Sequence, residues 1–280
     1  YLFCPKLLLL PPQKKIFAYS FTTFIPLIAA FKTKNLYLMP HYHSEGSTPI
    51  FRILRRFYDK TLGIFILNKA KKIFCVSDYE KNELIKKYNL DSKKIITVYN
   101  GVDAKRFTRA KPYSKKNKII LYVGRLEEYK NIQYIIQAMD YLPEYQLKII
   151  GSGPYKNKLE KLSNGREVAF FSNLDDQNVE RWFKTCSIFV TLSDVEAFGI
   201  TVVEALAAGK PILVNNGSSL KEFAELFPEQ ITKVNVHKED IPSLAQYIIK
   251  AEKRKFSKPD LSRFDWNRIT EKIKKEIEKD

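Results

Sequence analysis

From Lys118 onward, continuous apolar runs alternate with stretches of helical periodicity, and that alternation limits what the chain can become. Lys118–Val123, Gln146–Ile150, Val168–Phe171, Ser187–Leu192 and Pro211–Val214 are largely apolar and rich in β-branched, aliphatic and aromatic residues. A strand with one wet face alternates, whereas a strand covered on both faces does not, so these runs predict a parallel sheet sandwiched by helices. Between them, Asn131–Leu142, Tyr155–Ser163, Asn178–Cys186 and Thr201–Ala208 carry apolar residues at helical spacing. The order strand–helix–strand predicts a doubly wound α/β domain.

The earlier part repeats the pattern in shorter form. Strands are predicted at Lys15–Tyr19, Leu36–Pro40, Lys72–Val76 and Lys94–Val98, with helices near Thr22–Phe31, Thr48–Asn68 and Asp78–Tyr88. That is roughly four strands, where a complete Rossmann-type domain carries about six. The run from Val102 to Asn117 is polar, basic and unpatterned. The predicted organisation is an incomplete N-terminal Rossmann-like domain over 1–107, a linker over 108–117, and a second Rossmann-like domain over 118–258. A C-terminal helical segment over 259–280 follows, with Trp266, Ile269, Ile273 and Ile277 on one stripe, suited to packing back on the first domain.

At 280 residues the chain has room for two modest domains, and 45% hydrophobic with 28% charged residues excludes a largely disordered protein. The formal net charge of +17 is unevenly spread. Residues 1–110 hold 20 Lys and Arg against 7 Asp and Glu, while the remainder holds 28 against 24. The excess of cations predicts an anionic surface or substrate for the first part. Cys4, Cys75 and Cys186 stand singly, without zinc-ligand or redox spacing, which fits a reducing compartment and small buried thiols. Leu7–Leu10 and the 11 residues Phe21–Phe31, interrupted by Pro26, are too short for the roughly 20 apolar residues of a membrane span. The chain begins at Tyr1 rather than methionine, so a fragment of a longer frame is expected.

Chemistry concentrates in the stretch Ser193–Pro211 (SDVEAFGITVVEALAAGKP). It follows a predicted buried strand and opens a helix that stops at Gly209. Gly199 at the helix start lets an anion approach the backbone N–H groups of Ile200 and Thr201, where the helix dipole is positive. Glu196 sits in the loop at the carboxyl end of the sheet, where α/β folds bind ligands, and Glu204 follows eight positions later. Taken singly, each glutamate reads as a solvated helix charge; the whole string does not. Val123–Asn131 (VGRLEEYKN) is a second strand-to-helix turn, placing Gly124, Arg125 and Lys130 at a strand end. Two cations there can hold a diphosphate and offset the charge of a leaving nucleotide without a metal. Gly151-Ser152-Gly153-Pro154 lacks the third glycine of a dinucleotide fingerprint, with Lys156 in its place, so a nicotinamide or flavin cofactor is not expected.

Together these elements resemble the family 4 (group 1) retaining glycosyltransferases, whose GT-B fold sets two Rossmann-like domains facing a cleft. The resemblance runs from about Leu36 to Trp266, with Asn100-Gly101-Val102-Asp103 similar to the family's entry into its interdomain linker. It implies transfer of a sugar from a nucleotide-diphosphate donor to a hydroxyl of a glycan or lipid-linked acceptor, with no cofactor and no metal. It implies that Glu196 contacts the donor sugar and Glu204 the nucleotide ribose. It implies that Gly124, Arg125, Lys130 and the Gly199-Ile200-Thr201 helix start receive the donor diphosphate. The family's acceptor-side histidine matches His41 or His43 in Met39–Gly46, with His43 as the catalytic candidate. The family's opening strand and glycine-rich loop have no counterpart before Gly46, which makes a donor-binding remnant without turnover the alternative.

Phe51–Phe74 mixes seven Lys and Arg with aromatic and aliphatic residues, and suits either a partly buried helix or an anionic membrane surface. The expected location is cytoplasmic, peripheral on the inner face of the cell membrane. A nucleic-acid partner is not expected, because no recognition motif accompanies the positive charge. A metal-dependent transferase using Asp194 and Glu196 as ligands ranks below the metal-free reading.

Overall fold

A computed structural model describes residues 9, 11–21, 23–42, 57–114 and 117–279. The chain divides into two compact units, one comprising Tyr1–Asn100 with Trp266–Asp280, the other Gly101–Asp265.

In the first unit, strands β1 (Lys15–Tyr19), β2 (Asn35–Met39), β3 (Ala70–Cys75) and β4 (Ile95–Thr97) form one parallel sheet in the order β1-β2-β3-β4. Helices α1 (Ile25–Lys32), α2 (Ile64–Lys69) and α3 (Asp78–Tyr88) make the crossovers. Leu36, Leu38, Ile66, Leu67, Ile73 and Leu84 are fully buried in its core. The expected helix over Thr48–Asn68 is shorter among the described residues: a π-helical turn at Asp59–Gly63 feeds α2, and residues 48–56 lie outside the described set. Asp59 is buried there and pairs with Lys87 at 2.5 Å, so the widened turn brings a core carboxylate to its cation. The C-terminal helix Trp266–Glu278 belongs to this unit. Ile269 is buried, Lys15 Nζ donates to the Ile277 carbonyl at 2.8 Å, Lys272 Nζ donates to the Thr97 carbonyl at 2.8 Å, and Lys72 Nζ reaches the Glu276 carboxylate at 3.1 Å.

In the second unit, α4 (Ala104–Arg109) precedes strands β5 (Lys118–Val123), β6 (Tyr145–Ile150), β7 (Val168–Phe171), β8 (Ile188–Thr191), β9 (Ile212–Asn215) and β10 (Ile231–Val234). The intervening and following helices are α5 (Ile132–Ala138), α6 (Lys156–Leu162), α7 (Asp176–Thr185), α8 (Ile200–Ala207), α9 (Ser218–Leu226) and α10 (Ile241–Glu252). The sheet is all parallel in the order β10-β9-β8-β5-β6-β7. Numbered within the unit this is the 6-5-4-1-2-3 order of a doubly wound nucleotide-binding sheet, whose winding reverses between β5 and β8. Continuous apolar runs explain the sheet: Ile119–Tyr122 and Ile188–Val190 are essentially without solvent exposure on either face. Ile132, Ile135 and Ile136 on α5 bury the spacing of a helix stripe against Ile120, Tyr122 and Leu147, at about 1.5–3 kcal/mol per buried side chain.

The basic run from Val102 is not unpatterned throughout. Residues Ala104–Arg109 are helical, capped by the Asp103 side chain accepting from the Lys105 N–H, and Phe107 is buried edge-to-face on Phe183 at 5.4 Å. Short length and a single apolar anchor hid this helix among basic residues. At the other end Phe264 is fully buried among Phe198, Phe223 and Phe227, so the second unit extends to Asp265.

Candidate functional site

The carboxyl ends of β5 and β8 flank the winding reversal of the second unit, and two loops meet there. After β5, Gly124 donates to the Ile150 carbonyl at 3.0 Å, and the buried Tyr122 hydroxyl donates to the Arg125 carbonyl at 2.8 Å. Burial pushes the Tyr122 phenol well up, so it stays a neutral donor. The loop after β6 lies against this turn: a Cβ on Gly151 would stand 1.8 Å from the Gly124 carbonyl oxygen. Gly151 is therefore required by backbone contact between two loops, and Gly151–Pro154 serves packing.

After β8, the Asp194 N–H donates to the Tyr129 carbonyl at 2.9 Å, and the Asn131 side chain donates to the Leu192 carbonyl at 2.9 Å. These bonds bring residues 66 apart in sequence together: the Lys130 ammonium donates to the Glu196 carboxylate. Side-chain exposure is 10% for Lys130 and 19% for Glu196, so the pair is largely desolvated. The Tyr129 ring lies 5.1 Å from the Lys130 ammonium and adds a cation–π contact. Arg125 is placed otherwise. Its side chain is 65% exposed, donates to the Tyr129 hydroxyl at 2.7 Å and stands 3.5 Å from Glu127.

Gly199 opens α8 with φ of 92°, a left-handed conformation that disfavours a side chain, and no side chain caps the first turn. The N–H groups of Ile200 and Thr201 thus begin a helix whose first turn carries no carboxylate and no side-chain cap. Glu204 lies further along α8 and is half-buried. Burial pushes its carboxyl up to about 7, the Arg106 guanidinium opposing that rise while Asp176 and Glu180 add to it. Arg106 itself holds Asp176 at 2.8 Å and Glu180 at 2.6 Å, so the electrostatic surroundings of Glu204 are α4 and α7.

A network absent from the sequence reading borders this crevice. The Asp194 carboxylate accepts from the Asn215 side chain at 2.9 Å and meets His237 Nε2 at 2.7 Å, while Asn215 Oδ1 accepts from the Val236 N–H at 3.2 Å. Three loop ends are laced together next to Glu196. His237 follows β10, a strand interrupted by Thr232 and Lys233, and without that strand nothing in the sequence places the imidazole here. Asp194 and Glu196 thus turn to different partners. Among the described residues no group of three His, Cys, Asp or Glu side chains could hold a metal ion. Among them, too, no helix is long and apolar enough to cross a membrane, and Cys75 and Cys186 are buried.

In the first unit, His41 adopts φ of 46° and stacks on Tyr19 with ring centroids 5.3 Å apart. His43 and Cys4 lie outside the described residues.

Two parallel α/β units, one doubly wound with a cation–carboxylate pair and an uncapped helix start at its switch point, define the GT-B class of fold. The chain belongs to the glycosyl transferases group 1 family, whose model matches residues 103–268; the Glycosyltransferase Family 4 model matches residues 16–106. It is 28% identical over 236 residues to an uncharacterized glycosyltransferase of Methanocaldococcus jannaschii, covering 76% of this chain and 60% of that protein. It is 23% identical over 266 residues to the sulfoquinovosyl transferase SQD2 of Arabidopsis thaliana, covering 90% of this chain and 51% of that one. The chain therefore spans about half to three-fifths of these relatives. Among solved structures, sucrose-phosphate synthase from Thermosynechococcus elongatus superposes with a TM-score of 0.77 at 20% identity, over 94% of this chain and 73% of that one. Anabaena HepE in complex with UDP and glucose does so with a TM-score of 0.72 at 16% identity, over 94% and 77%.

Proposed function

We propose that this chain is a retaining glycosyltransferase that takes a sugar from a nucleotide-diphosphate donor and passes it to a hydroxyl of a glycan or lipid-linked acceptor. The observation that carries the reading is the meeting of Lys130, Glu196 and the uncapped α8 start at the switch point of the second unit. A diphosphate bound there receives the Lys130 ammonium, the N–H groups of Ile200 and Thr201, and the exposed Arg125 guanidinium. Those donors offset the charge that develops on the leaving nucleotide, which is the work a divalent cation does elsewhere, so binding is metal-independent. Before the diphosphate can take Lys130, Glu196 must yield it, and the released carboxylate is then free to meet the donor sugar. Glu204 serves the ribose, and His41 or His43 serves the acceptor side. HepE, solved with UDP and glucose, and relatives named as a sulfoquinovosyl transferase and an O-antigen mannosyltransferase support this donor and acceptor chemistry.

Calorimetry with UDP, GDP and ADP in excess chelator tests it. Binding of at least one, weakened in Lys130→Gln, is the expected result; no binding by any of them sinks the reading. Donor binding without transfer is the second reading, favoured by four parallel strands among the described residues of the first unit against six in the second. Saturable donor binding with no sugar release to any hydroxyl acceptor would select it.

The reading extends to an anionic membrane surface on the cytoplasmic side. Phe31 and Phe65 stack at 5.6 Å yet are 74% and 41% exposed, and Phe57 is 71% exposed. Lys34, Lys60, Lys69 and Lys71 are exposed on the same segments, whose one described acid is the buried Asp59. Exposed aromatics rimmed by lysines suit the headgroup layer of an anionic bilayer. Arg52, Arg55 and Arg56 lie outside the described residues.

A further inference from the structure

The turn after β2 carries His41 and is conformationally costly. Ser20 and His41, at the ends of β1 and β2, both have positive φ, at 66° and 46°. Non-glycine residues hold that region only where their surroundings fix them. The Ser20 and Phe21 N–H groups donate to the Met39 and Pro40 carbonyls at 3.0 and 2.8 Å, which secures one side of the turn. On the other side stands Glu80, 1% exposed, in the first turn of α3.

Ser77-Asp78-Tyr79-Glu80 has the spacing of a capping box, and the Glu80 N–H does donate to Ser77 Oγ at 3.0 Å. In such a box the glutamate reaches back to the N–H of the cap residue. Here it goes elsewhere. One carboxylate oxygen accepts from the Val76 N–H at 2.6 Å, and the other accepts from the Tyr42 N–H across the sheet edge. Among the described residues no lysine, arginine or histidine forms a salt bridge with it. A local cap would gain nothing from crossing to another strand's exit, nor from burying a carboxylate without a cation.

We propose that Glu80 is a positioning residue: its buried carboxylate ties the His41–Tyr42 turn to the exit of β3 and so fixes how His41 is presented at the carboxyl edge of the first unit's sheet. The link to transfer rests on the acceptor-side role given above to His41 or His43; the latch itself does not. Burial pushes the Glu80 carboxyl up to about 7, against the pull of the two N–H groups, so the latch titrates in the neutral range. The buried Cys75 thiol on β3 is held well above its ordinary value by burial and by Glu80, with Lys81 lowering and Asp78 raising it. On the far side, the Tyr42 hydroxyl is held by Lys87 and, at 3.5 Å, by Asp59.

Amide and imidazole resonances of the isotope-labelled chain, followed from pH 5 to pH 9, test this. The Tyr42 and Val76 amides are expected to titrate together with a midpoint near 7 in the native protein. In Glu80→Gln both should become flat across that range, and the His41 imidazole signal should move while that of His237 stays. Independent titration of the two amides in the native protein, or none, overturns the latch without needing any variant. An unmoved His41 signal in a folded Glu80→Gln protein overturns it equally. Binding of UDP, GDP and ADP by the second unit is measured alongside: the absence of all three would remove the transferase reading and leave the latch result intact.

Discussion

The two units solve one architectural problem differently. The second reverses its winding between β5 and β8, so adjacent strand ends send their chains to opposite faces and a crevice opens between them. The first runs β1-β2-β3-β4 without reversal among its described strands, and offers a line of strand exits. Each unit sets a glutamate at this carboxyl edge, the half-buried Glu196 in the second and the buried Glu80 in the first. Glu196 is answered by a cation that a phosphate can claim, whereas Glu80 is answered by two backbone amides that nothing else can claim. On the readings proposed above, the same side chain is exchangeable in one unit and structural in the other, and the neighbours decide which.

The largest effect that would break this contrast concerns Lys130. Lys130→Gln strands Glu196 in a desolvated crevice, and removing one partner of a buried pair costs about 3–5 kcal/mol. The loss should be confined to the second unit. The chain has two tryptophans, Trp182 in the second unit and Trp266 in the first, so urea unfolding of single-tryptophan variants separates the units. An equal shift of both transitions would dissolve the comparison.

Next comes pH. The folded Glu80 carboxyl holds its proton to about 7, higher than an unfolded glutamate does. Its contribution to the first unit is therefore complete below the unfolded value and is lost as pH rises through about 7, amounting to about 3 kcal/mol between pH 4 and pH 8. The Trp266 transition should weaken over that range and Glu80→Gln should flatten the dependence. A native transition that strengthens with pH refutes it.

A smaller effect sharpens the charge difference between the units. Lys60, Lys69 and Lys71 replaced together by Gln should weaken binding to anionic vesicles by up to about 1 kcal/mol per lysine, screened by salt, with little binding to neutral vesicles at the start. Equal retention on both vesicle types would return Phe31, Phe57 and Phe65 to an ordinary surface role. The smallest effect is Glu196→Gln, which leaves Lys130 seeking an anion. Inorganic pyrophosphate should bind about fivefold tighter, roughly 1 kcal/mol, while sugar transfer falls. Unchanged pyrophosphate affinity would mean that Glu196 does not guard the cation.

Much of the sheet was legible because continuous apolar runs advertise strands: Lys118–Val123, buried along its middle, and Val168–Phe171, a half-buried edge strand, match β5 and β7 end to end. Edge strand β10 escaped, since Thr232 and Lys233 break its apolar run. The helix at Ala104–Arg109 escaped because Phe107 is its one buried residue. Motifs marked Lys130 and Glu196 separately, but their contact is a property of strand order, which spacing does not encode. Glu80 was hidden more deeply. Its sequence reads as a local cap, and only the third dimension shows Tyr42 beside it.

The helix Trp266–Glu278 follows the entire second unit in the chain yet is built into the first. A polypeptide is made from its N-terminus, so all of Gly101–Asp265 leaves the ribosome before this helix exists. The unit begun first is finished last. Its sheet waits through synthesis without Ile269, and without the acceptors and acid that engage Lys15 and Lys72, while the second unit already has every residue it needs to fold. A stop codon after Asp265 would spare the unit it adjoins and damage the one whose sheet was encoded earlier.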